Sequence, residues 1–137
     1  MIERLSHVGI VVENLDESLS EYERLFKLKA SAVVDAVGGK VRAAFIPVGD
    51  GEIELLQPID QNTPLMEYLR NHGSGIHHIS LITDDISNEV ERLRKEGVTF
   101  DREEPTVGAH GTRIIFTLPQ TTNGIRVELM EKAAEHR

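Results

Sequence analysis

Four residues carry the chemistry legible in this sequence: His7, Glu54, His78 and Glu128. Two imidazoles and two carboxylates form a mixed nitrogen and oxygen donor set. Such a set suits Co2+, Ni2+, Mn2+ or Zn2+. Taken singly, none of the four would point to a metal. A lone histidine flanking a strand is usually a satisfied core or rim residue, and a lone glutamate in a strand usually faces solvent. What sets these four apart is that they repeat. His7-Val8-Gly9-Ile10 is echoed 71 residues later by His78-Ile79-Ser80-Leu81. Ile53-Glu54-Leu55-Leu56 is echoed 74 residues later by Val127-Glu128-Leu129-Met130. A change of three in the spacing is what a loop insertion produces.

The elements that must position these groups repeat as well. LSHVGIVV reads as a strand, and NLDESLSEYERLF reads as a helix with Leu15, Leu19, Tyr22 and Phe26 on one inward stripe. Asn14 and Glu17 have the spacing of a capping box. SAVVDAV, VRAAFIPV and EIELLQP follow as strands, the first two separated by the Gly38-Gly39 turn. The second half predicts a strand at GIHHISLIT and a helix at DISNEVERLRKEG. In that helix Ile86, Val90 and Leu93 point inward and Gly97 is the stop. Strands are then predicted at VTF, TRIIFTL and IRVELME. Between the halves, TPLMEYLRNHG reads as a connecting helix with Thr63 as N-cap, Pro64 at its first position and Gly73 at its end. The expected fold class is therefore α+β. One domain over 1–137 holds two tandem βαβββ modules, 1–60 and 75–133, joined by the helix of 61–74 and sharing a curved mixed sheet.

Strand parity then aims the four side chains. Val8, Ile10 and Val12 share the face that packs under a helix, so His7 takes the opposite face; Ile79 and Leu81 do the same for His78. Ile53 and Leu55 leave Glu54 on the concave side, and Val127 and Leu129 leave Glu128 there. Carboxylates gathered on an inner surface need compensation, which a divalent cation supplies. The other histidines lack a duplicate. His77 points away from His78, His72 sits near a helix end where a cation is comfortable, and His136 lies in a charged, solvated tail. His110 stands in a Gly-Ala-His-Gly loop and has the better claim to a role. Glu52 shares the facing of Glu54 and is expected at a solvated rim.

Composition excludes several function classes. A net charge of −8 argues against a nucleic-acid partner. The absence of cysteine removes disulfides and thiolate metal sites and suits a reducing, cytoplasmic setting. No apolar run approaches a membrane span, and the first residues do not read as a signal peptide.

The same stretches resemble the vicinal oxygen chelate superfamily and, within it, the methylmalonyl-CoA epimerase family. HVGIVVENLDESLSEY and GIHHIS are similar to the superfamily broadly. EIELLQP followed by a proline-started helix, then GIHHIS, EEPTVGAHG and NGIRVELME, resembles the epimerases more specifically. The resemblance implies a metal held at His7, Glu54, His78 and Glu128, the positions that the pleat selects. It also implies an acyl-CoA substrate whose alpha proton is removed and returned to the opposite face. Glu128 is then the first choice of base, with Glu54 as second proton carrier and His110 or a water as another. Two features depart from the family. Where some epimerases carry a further glutamate, this chain has Arg42 or Ala43, and where they carry His-Pro-Lys it has Leu118-Pro119-Gln120. The competing readings are a lactoylglutathione lyase, a ring-cleaving dioxygenase, which uses one carboxylate fewer, and a binding protein without catalysis. Fold analogy also implies a homodimer.

Overall fold

The computed structural model describes residues 1–134. It divides into two compact units, His7–His77 and Met1–Ser6 with His78–Arg137. The connecting helix belongs to the first of these.

The first module runs β1 (Ile2–Val11), α1 (Leu15–Phe26), β2 (Ala32–Ala36), β3 (Val41–Val48) and β4 (Gly51–Pro58), and α2 (Pro64–His72) follows. Its strand order is β2-β3-β4-β1, with two antiparallel ladders and a parallel β4–β1 pair that closes the module. Helix α1 starts where expected, because the Asn14 carboxamide oxygen accepts from the Glu17 N–H at 3.0 Å. It packs Leu15, Leu19 and Tyr22 onto Val12, Ala44, Ile46 and Leu55, with Ile10 and Ile53 alongside. Leu15, Ile46 and Leu55 are fully buried, each contributing roughly 1.5–3 kcal/mol. Ile10, Val12, Ile53 and Leu55 thus occupy the helix side, as parity requires. A second cluster, Val41, Ala43, Phe45 and Leu56 with Leu65 of α2, covers the other parity of the same strands.

Phe26 departs from expectation. It is 59% exposed, not inward. It is the last helical residue, and Lys27 at φ 60° turns the chain away there. Its ring rests edge-on against Tyr22 at 5.5 Å instead.

The second module repeats the plan: β5 (Gly75–Thr83), α3 (Ile86–Lys95), β6 (Thr106–Val107), β7 (Arg113–Phe116) and β8 (Val127–Glu131), in the order β5-β8-β7-β6. Here too the ladder of first and last strands, β5–β8, is parallel and the others are antiparallel. Asp85 caps α3 by accepting from the Asn88 N–H at 3.1 Å. The helix lays Ile86, Val90 and Leu93 on Ile115, Leu129 and Leu81. VTF does not form a strand, since only Phe100 makes a bridge, to Thr117. The edge strand is the two-residue β6 in its place, within EEPTVGAHG. Within the tail, Lys132–Ala134 are exposed, whereas Glu131 belongs to β8 and pairs with Arg113 at 2.8 Å. His136 lies outside the described residues. Among the described residues, no helix is long and apolar enough to cross a membrane.

Candidate metal centre

Each module buries one imidazole and one carboxylate on the sheet face away from its helix. In the first, Gly9 is the partner of Glu54 across the parallel β1–β4 ladder, so His7, two residues earlier on β1, shares the Glu54 face. His7 Nε2 lies 3.7 Å from Glu54 Oε1. Both residues are withdrawn from solvent, at 1% and 5% exposure. Phe45 is the antiparallel partner of Glu54 and supplies an apolar neighbour on the same face.

In the second module, Ser80 is the parallel partner of Glu128, and His78, two residues before Ser80, shares that face. His78 and Glu128 are both buried. Phe116 is the antiparallel partner of Glu128, and its ring meets His78 edge-on at 5.1 Å. The matched residues are therefore His7 and His78, Glu54 and Glu128, Phe45 and Phe116, and Gly9 and Ser80. The aromatic pair escaped the motif reading, although 71 residues separate Phe45 from Phe116, the same interval as between the two histidines. That coincidence was the available signal.

The donor chemistry of each half fits a divalent cation. A buried imidazole beside a buried carboxylate offers one nitrogen and at least one oxygen, in a setting where an uncompensated charge is costly.

The remaining candidates occupy other surroundings. His77 is half-buried and edge-on to Tyr68 at 4.8 Å, on the face opposite His78. His72 stacks on Tyr68 at 4.3 Å with its Nδ1 3.2 Å from the Tyr68 carbonyl. His110 is half-buried in the β6–β7 turn, which is closed by bonds from the Gly108 N–H to the Thr112 carbonyl and from the Gly111 N–H to the Gly108 carbonyl. A Cβ on Gly108 would stand 2.7 Å from the Ile114 side chain, so the turn needs glycine there for the close approach. Glu52, expected at a solvated rim, is half-buried and is the ladder partner of His7.

On β3, Arg42 reaches Asp16 at 3.6 Å. Ala43 is fully buried in the apolar cluster with Phe45 and Leu56. Neither supplies a proton carrier. Leu118-Pro119-Gln120 leads into a single 3-10 turn, Pro119–Thr121. Leu118 is held there by its N–H to the Thr99 carbonyl at 2.9 Å.

This duplicated βαβββ plan, with a His and Glu in each copy, defines a class. The chain belongs to the Glyoxalase/Bleomycin resistance protein/Dioxygenase superfamily, whose family model matches residues 6–116. Among its curated relatives, the mitochondrial methylmalonyl-CoA epimerase of Dictyostelium discoideum is 39% identical, over 96% of this chain and 80% of that protein. The ethylmalonyl-CoA/methylmalonyl-CoA epimerase of Cereibacter sphaeroides is 35% identical, over 94% of this chain and 98% of the relative. Among solved structures, a glutamate-to-glutamine variant of Streptomyces coelicolor methylmalonyl-CoA epimerase in complex with 2-nitronate-propionyl-CoA is similar with a TM-score of 0.90. It is 27% identical, and the match covers 98% of this chain and all of that one.

Proposed function

We propose that this protein is a metal-dependent epimerase that interconverts (2R)- and (2S)-methylmalonyl-CoA by moving the proton at C2. The observation that carries the reading is the pair of buried His and carboxylate half-sites, in a chain similar over nearly its whole length to enzymes with that activity. His7, Glu54 and His78 are assigned as ligands because a buried His and a buried carboxylate recur in each half of the sequence. Glu128, the counterpart of Glu54 in the repeat, completes a set of four. When bound, a divalent ion would supply positive charge to the thioester and carboxylate oxygens, where charge gathers as the C2 proton leaves.

The chain's own residues do the rest. Glu128 takes the proton from C2, a contribution typically worth about 10²–10⁴-fold. Glu54 is the second carrier, returning a proton to the other face, because β3 offers no carboxylate for the task. Phe116 and Phe45, across from the two carboxylates, limit the water that competes for those protons. Co2+ is the first choice of metal, ahead of Ni2+, Mn2+ and Zn2+. The cysteine-free composition suits a cytoplasmic enzyme, and the working assembly is taken as a homodimer, which light scattering tests directly.

Deuterium incorporation at C2 of methylmalonyl-CoA in heavy water, run beside a methylglyoxal–glutathione assay, tests the reading. Exchange with the acyl-CoA and inactivity with the thiohemiacetal support it. The reverse pattern would make the protein a lactoylglutathione lyase.

A further inference from the structure

Ser80 is one place where the two half-sites differ. The other matched positions carry the same residue type in both modules, but Ser80 has glycine, Gly9, as its counterpart. Its side chain is fully buried, and its hydroxyl makes no hydrogen bond among the described residues; Glu128 Oε1 is another buried atom that makes none. Buried hydroxyls are rarely left so, because the lost water bonds are not replaced. Ser80 and Glu128 are direct partners on the parallel β5–β8 ladder, and their side chains leave the sheet on the same face. The carboxylate of Glu128 is a strong acceptor with several lone-pair directions, and ligation through one oxygen leaves the other able to accept.

We propose that Ser80 is a positioning residue: a turn of its side chain lets the hydroxyl donate to the Glu128 carboxylate, a bond not made in this structure, and fixes the orientation in which that group meets the substrate. The inference rests on Glu128 acting as base in the reading above. It adds a reason for the two carboxylates to be unequal. Glu128 has a hydroxyl donor beside it on the ladder, whereas Glu54 has only Gly9 there. The rival role for Ser80 is that of a small residue filling space between strands, which needs no hydroxyl.

The two roles separate by infrared spectroscopy combined with kinetics. Subtracting the spectrum of Glu128→Gln from that of the unaltered protein isolates the Glu128 carboxylate bands, which respond to a donated hydrogen bond. Ser80→Ala is expected to shift those bands, recorded before and after Co2+ loading. It is also expected to lower kcat at least about tenfold while KM stays within about twofold. Ser80→Gly, which installs the residue of the first module, is expected to give the same result, and Ser80→Thr to restore the band position. Loss of rate with no band shift in either state overturns the proposal, as does an unchanged band with an unchanged rate. If the unaltered protein fails to exchange the C2 proton, the epimerase reading falls, while the band comparison still decides whether Ser80 holds Glu128.

Discussion

Phe116 stands directly across from Glu128 on the antiparallel β7–β8 ladder, and its ring edge meets His78 at 5.1 Å. An apolar wall beside a buried carboxylate raises the value of every polar contact that the carboxylate makes. Replacing Phe116 with leucine keeps the wall and removes the ring contact. The expected cost is about 1 kcal/mol of unfolding free energy, read from urea titration. An unchanged midpoint would show that the edge-on contact contributes nothing.

The metal reading predicts a ligand-linked rise in stability. At a cation concentration of about 100 times the dissociation constant, stabilisation is roughly 2.7 kcal/mol. A chelator removes it and Co2+ restores it. His7→Ala and Glu54→Gln are each expected to abolish most of that shift in differential scanning calorimetry. Retention of the full shift in both variants would remove the first half-site from the metal assignment.

Glu128→Gln keeps an oxygen donor while removing the proton acceptor. Its kcat for C2 exchange is expected to fall by about 10²–10⁴-fold, with metal content preserved by elemental analysis. A metal-replete variant exchanging at the full rate would exclude Glu128 as the base.

Acid stability is expected to depend on Glu131. The Arg113 guanidinium, 2.8 Å away, holds the Glu131 carboxyl below its ordinary range. Burial opposes this, and the Ile86 N–H, which Glu131 also caps, assists it. A folded-state pKa below the unfolded one contributes stability that is complete above the ordinary value of 4.5 and is lost as pH falls through the depressed value. Glu131→Gln should therefore be less stable than the parent at pH 7, and the gap should narrow as pH falls below 4.5. Denaturation midpoints recorded between pH 3 and pH 7 decide it. A gap independent of pH would mean that the pairing is not electrostatic.

Much of this was legible because the informative patterns are local. The strands VRAAFIPV and GIHHISLIT were readable to the residue, and α2 was fixed at both ends by Thr63, Pro64 and Gly73. The pleat aimed His7 and Glu54 to one side with no tertiary information. The misreadings concern features that a partner decides. VTF has the composition of a strand, but only Phe100 finds a neighbour. Thr106 and Val107 sit among turn residues and become a strand only because β7 lies beside them. Phe26 has helical spacing, yet the left-handed Lys27 ends the helix before that residue can be covered. Ser80 ends GIHHIS, but nothing in the pattern gave it a role, and its interest comes from the burial of its hydroxyl.

The parallel pairing that closes each module also dictates when a binding half-site can exist during folding. His7 and Glu54 are 47 positions apart in the chain, and His78 and Glu128 are 50 apart. Neither pair can meet until the helix and both intervening strands have been laid down, so each half-site is among the last, most non-local contacts to close. A cation therefore cannot template the early collapse of a module. It is captured by chains already folded, and the expected signature is an unfolding rate slowed by metal beside a refolding rate that metal leaves untouched.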